Sequence, residues 1–166
     1  IDQDASDGEV EFIFEAIKPM RVKGNIKDDR IKNILTYSMV NDLNPGTRLN
    51  SINFLNSKKT ETVDIEIKSA VIDVVRYDTN AGVRREAFKL LTKFEYDEEI
   101  KKTYLYVLMN DSSSSLRIEA MTALVEAGKE GYQFSPEDLS IFKEKMRTDE
   151  NNYVRYYAKN VLQENQ

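Results

Sequence analysis

Four times in this chain an Asp is followed six residues later by an Arg across a turn-rich interval. The pairs are Asp42 and Arg48, Asp78 and Arg84, Asp111 and Arg117, and Asp149 and Arg155. The Arg-to-Arg spacings are 36, 33 and 38 residues. A recurrence at this period marks supersecondary units that cannot bury their apolar faces alone and must stack on their neighbours. The expectation is therefore a solenoid.

Counting from each Arg fixes the register. The residue before it is Thr47, Val83, Leu116 or Val154. Three after it stands a small residue, Ser51, Ala87, Ala120 or Ala158, and seven after it always a Leu, at 55, 91, 124 and 162. Small residues at fixed register let helices approach closely, and the Leu fills the layer between them. Eleven before each Asp stand Ile31, Ile67 and Ile100; the fourth unit has Asp138 there, with Leu139 beside it.

Along the chain, residues 1–8 are acidic and small and read as a linker or frayed terminus. Residues 9–25 form an extended N-terminal segment. Val10, Phe12, Phe14 and Ala16 alternate with Glu9, Glu11 and Glu15, the pattern of a half-buried strand. Either that strand caps the array or its edge pairs with a partner or a second copy. The repeat domain spans 28–166, as pairs over 28–57, 62–94, 97–128 and 135–165. Asp29 is the expected N-cap of the first helix. Ser135-Pro136-Glu137-Asp138 is a strong helix start. The fold class is mainly α, about four helix pairs behind a short β-strand.

Each Asp is expected to end the first helix of its pair and accept N–H groups of the turn. Each Arg opens the second helix, an electrostatically poor end for a cation. It makes sense there if it reaches an acceptor on a neighbouring unit. Stacking would then form a ladder of Asp42, Arg48, Asp78, Arg84, Asp111, Arg117, Asp149 and Arg155. A catalytic Asp–Arg pair copied at four equivalent positions is the weaker reading.

Composition narrows the chemistry. The chain has 166 residues, no His, no Cys and no Trp, and a net charge of −5. Without His the commonest general base and zinc ligand are missing. Without Cys there are no thiol nucleophiles, disulfides or thiolate metal sites. A mildly acidic chain lacks the basic face of a dedicated nucleic-acid binder. The pairs Lys58-Lys59, Arg84-Arg85 and Lys101-Lys102 read as solvated faces. Asp2, Asp4 and Asp7 lack the offsets of a calcium loop. No catalytic residue, cofactor or metal is expected. The first residue is Ile1, which reads as a chain processed or taken from a longer one.

Paired helices at this period, with Asp at the turn and Arg six later, resemble the HEAT-repeat family. They are also similar to the short HEAT-like repeats of the phycobilin lyase type. This resemblance covers residues 28–165 and implies a right-handed α-α superhelix. A narrower resemblance rests on Val22-Lys23-Gly24-Asn25, Asp28-Asp29-Arg30-Ile31 and Asn41-Asp42-Leu43-Asn44-Pro45-Gly46-Thr47-Arg48-Leu49. It is to the HEAT-containing C-terminal portion of bacterial membrane proteins with a zinc-finger, anti-sigma-like segment and one transmembrane helix. It implies an extracytoplasmic docking or sensing domain of a membrane-anchored regulator, with a cytoplasmic chain as the other placement.

The functional expectation is a non-catalytic protein-interaction scaffold. It would bind a protein partner on the surface formed by the second helix of each pair. The outward positions there include Asn53, Arg85, Glu86, Lys89, Glu119, Tyr156, Tyr157 and Asn160. Tyr153, Tyr156 and Tyr157 cluster at the C-terminal end, as an interface or as a cover for the last core layer. No nucleic acid and no direct membrane contact are expected, and self-association would run through the N-terminal strand. The alternative is an enzyme-associated repeat protein, bilin-lyase-like or DNA-glycosylase-like.

Overall fold

The computed structural model describes residues 21–26, 28–57 and 65–165. Among them are eight α-helices: α1 (Asp29–Asn41), α2 (Pro45–Asn56), α3 (Ile65–Tyr77), α4 (Ala81–Leu91), α5 (Glu98–Asn110), α6 (Ser114–Lys129), α7 (Pro136–Thr148) and α8 (Asn152–Glu164). They pack as consecutive pairs. The first helices α1, α3, α5 and α7 each lie against the next to form one layer. In the other layer α2 packs on α4, and α6 on α8. The described residues contain no strand. The strand expected over residues 9–17 lies outside them, as do Lys58, Lys59 and the three early aspartates.

The joint between the helices of a pair is built from two side chains. The Asp is the C-cap of the first helix, and its carboxylate accepts the N–H two residues on. These bonds are Asn44 to Asp42 at 2.8 Å, Asn80 to Asp78 at 2.8 Å, Ser113 to Asp111 at 2.7 Å and Asn151 to Asp149 at 2.9 Å. In three joints the residue so held is an Asn that N-caps the second helix, taking the N–H of Gly46, Gly82 or Tyr153. The two caps satisfy orphan donors that a helix end would otherwise leave open. Ser113, in the third joint, makes no such side-chain bond.

The remaining caps differ. The N-cap of α1 is Asp28, which accepts the N–H of Arg30, and Asp29 is the first helical residue. An N-cap needs extended backbone, which Asp28 has (ψ 122°), so the expectation for Asp29 is corrected. Helix α7 begins with a reciprocal capping box, Ser135 with Asp138, and Pro136 fills the first turn. Helix α6 stops at Gly131, whose φ of +95° closes a Schellman motif with Tyr132 N–H donating to the Ala127 carbonyl. That turn sends Phe134 back onto α6 and against Phe142, ring centroids 5.2 Å apart.

The core follows the register of the units. Ala87, Ala120 and Ala158 are fully buried, as are Leu91 and Leu124. Ser51 is also buried and gives its hydroxyl to the Thr47 carbonyl at 3.1 Å. Aromatic rings fill the middle of the array, with Phe88 4.8 Å from Tyr104, and Tyr96 4.5 Å from Tyr132.

Candidate functional site

The Arg side chains bind across units. Arg48 clamps the Asp78 carboxylate through Nε and Nη2 at 2.6 and 2.8 Å. Arg84 holds Asp111 at 2.8 and 2.8 Å, and Arg117 holds Asp149 at 2.9 and 3.2 Å. The remaining Nη1 of each Arg donates to the carbonyl of its own unit's Asp, at 2.7 to 2.9 Å. Each guanidinium therefore spans two joints, with every donor group occupied in planar, bidentate geometry. These groups are spent on the scaffold and are not available to a ligand.

A second set of cross-unit pairs joins the first helices. Lys68 bonds Asp97 at 2.5 Å and Glu99 at 3.1 Å, and Lys101 bonds Asp138 at 3.0 Å while also holding Glu98 of its own helix at 2.9 Å. Lys101 is buried, so the expectation that Lys101-Lys102 forms a solvated face is corrected for Lys101 and holds for exposed Lys102. Arg84-Arg85 divides in the same way, with Arg84 buried in the ladder and Arg85 exposed.

These pairs set an acid limit. Burial pushes the Asp149 carboxyl up, but the Arg117 guanidinium, the Asn151 N–H and the Lys145 charge outweigh it and hold the group below its usual range. Asp138 behaves likewise, its burial outweighed by Ser135 and Lys101. A carboxyl depressed in the folded chain contributes stability that is complete above its unfolded value, about 3.9. That contribution disappears as pH falls through the folded value. The melting temperature should thus fall steeply below about pH 4, and less steeply in Asp149→Asn, as read by circular dichroism at a series of pH values.

The surface of the second helices holds the expected partner-binding residues, and the structure divides them. Arg85 reaches Glu119 at 2.8 Å across α4 and α6, and Lys89 pairs with Glu86 at 2.6 Å. Lys89 and Glu119, one member of each pair, stand at the edge of a groove. Helices α4 and α6 do not close on one another as α2 and α4 do. The gap has a volume of about 340 Å³, with Phe88, Ile118 and Ala123 on its floor and Lys89, Thr92, Glu119 and Thr122 at its rim. Its accessible lining is almost wholly apolar.

Tyr156 and Tyr157 stand apart on α8. Their rings meet edge-on at 5.2 Å, and Tyr153 lies 4.3 Å from Tyr157. Tyr157 packs on the core while Tyr156 is exposed. A 3.3 Å contact between the Thr122 and Tyr153 hydroxyls connects this cluster to the groove rim. Asn53 and Asn160 make no side-chain hydrogen bond among the described residues and join neither group.

The groove floor is absent from the sequence expectation, although a signal for part of it exists. The position one after each Arg is Leu49, Arg85, Ile118 and Tyr156. Only Arg85 and Tyr156 of these were expected outward, yet Ile118 at the same register lines the groove. No group of acids that could hold a metal is present among the described residues, and no helix there is long and apolar enough to cross a membrane. Comparison with protein-family models, with curated proteins and with solved structures gives no match. The fold therefore defines the chain at the level of class, an array of paired helices stacked in register.

Proposed function

We propose that this chain is a HEAT-like, right-handed superhelical scaffold that binds a protein partner without catalysis. The groove between α4 and α6 is the binding site. The observation that carries this reading is an apolar floor left open between two helices, with Lys89 and Glu119, each paired to a neighbouring charge, at its rim. Apolar pockets framed by polar residues are where the anchor side chains of a partner gain most of their energy. The two charge pairs are exposed and worth little as stability, so they can be re-formed with a partner. The resemblance carried by residues 41–49 supports a place as the docking or sensing part of a bacterial regulator.

The reading is tested with a photo-crosslinking amino acid at Thr122, in the groove, and at Asp73, on the exposed side of α3. Crosslinks to one protein from Thr122 alone are expected. Ile118→Glu should abolish them and weaken binding of that purified protein by about 30-fold or more, at a temperature where circular dichroism shows the variant folded. Equal crosslinking from both positions, or full binding by Ile118→Glu, would remove the groove as the site.

A further inference from the structure

Among the described residues the ladder is open at both ends. Three rungs are closed, and each has the same three parts. An Asp Oδ1 is held by the N–H two residues on, an Arg Nη1 is held by the carbonyl of its own joint, and the Arg then clamps the next Asp. At the N-terminal end, Asp42 is held by Asn44 N–H at 2.8 Å, the distance found for Asp78 and Asn80. No Arg reaches it from the described residues. At the other end, Arg155 Nη1 donates to the Asp149 carbonyl as Arg117 Nη1 does to that of Asp111. Its Nη2 takes Asn152 of its own joint, and no carboxylate among the described residues reaches it.

We propose that the C-terminal end of the array docks the N-terminal end of a second copy of this chain, with Arg155 of one copy clamping Asp42 of the other. The side chains around Asp42 support this. Thr103 on α5 receives Arg76 of the preceding unit, and Tyr106 lies edge-on to Tyr77 of that unit. Glu150 reaches back to Arg117. These three positions thus face the preceding unit. Their equivalents in the first unit are Ile34, Tyr37 and Leu43, all apolar and all exposed, Leu43 at 97%. A solvated end would carry polar groups there.

The opposite end is complementary. Leu139, Met146 and Leu162 line a groove of about 580 Å³ between α7 and α8, with Lys143, Arg147 and Lys159 around them. Leu139 stands where the earlier units have Lys32, Lys68 and Lys101, so an apolar side chain replaces the cation at this one position. Docking buries apolar groups on both sides and closes a fourth rung, in which Arg155 Nη2 exchanges Asn152 for the Asp42 carboxylate. The contact is heterologous, so it propagates from copy to copy unless the rotation closes a ring.

Sedimentation equilibrium of the chain over a concentration series tests this. The mass of the unaltered chain should rise with concentration. Arg155→Asp and Asp42→Arg should each remain monomeric, because each places like charges at the junction, and a 1:1 mixture of the two should associate again. Arg155→Gln should weaken association by about 30-fold or more. If Asp42→Arg fails to fold, Leu43→Lys takes its place, since that side chain is exposed and its charge would oppose Arg155. An unaltered chain that stays monomeric to about 1 mM would overturn the proposal. So would association that survives in Arg155→Asp, or a mixture of folded variants that stays monomeric.

Discussion

Arg84→Ala should lower the melting temperature by roughly 10 °C. Only 11% of the Arg84 side chain and 4% of that of Asp111 are exposed, so the pair is effectively buried. Removing the guanidinium leaves a buried carboxylate without its counter-charge, which costs about 3–5 kcal/mol. The carbonyl of Asp78 loses a donor at the same time. The double variant Arg84→Met with Asp111→Asn discriminates between causes. The amide introduced in place of the Asp111 carboxylate is neutral yet can still accept the Ser113 N–H, so at least half of the loss should return. Calorimetry and urea titration at pH 7 read both variants. Binding at the α4–α6 groove should persist in Arg84→Ala at low temperature. Binding lost with melting unchanged would mean that the ladder touches a ligand.

The second large effect is expected from the repeated Leu. Leu91→Ala should destabilise by about 3–5 kcal/mol, since the side chain is fully buried between units and neighbours on both sides limit collapse of the cavity. Leu162→Ala removes the same atoms at the same register but at the end of the array, where 9% of the residue is exposed. Relaxation toward solvent should keep its cost near about 2 kcal/mol. Equal losses in urea titrations of the two variants would show that the position in the unit, and not the place of the unit in the array, sets the cost.

The helices and their pairing were legible in the sequence because one register carries them. The Ala three after the Arg and the Leu seven after it bury in order, and the Asp-to-Arg spacing marks each joint. The destination of each Arg is less visible, because an Asp six residues before it and another 27 to 32 residues after it are both in reach on paper. The structure shows the side chain bonding the carbonyl of the first and the carboxylate of the second. The Lys pairs were missed for a different reason. Lys68 takes Asp97, before α5, whereas Lys101 takes Asp138, inside α7, so no constant spacing links cation to anion. The groove was also missed. How far α4 stands from α6 depends on how two units seat on each other, and no residue pattern within one unit encodes that distance.

The Arg84–Asp111 clamp sits at the one junction where the second helices stand apart. It lies at the turn end of α4 and α6, and the groove begins about one helical turn further along them, at Phe88. Such a junction is closed by the clamp and by the packing of α3 on α5, and is open between the far ends of its second helices. The motion expected of it is a rotation about that closed side, like a door on its hinge. A bulkier guest in the groove would then swing the first two helix pairs against the last two, about the side where Arg84 and Asp111 meet.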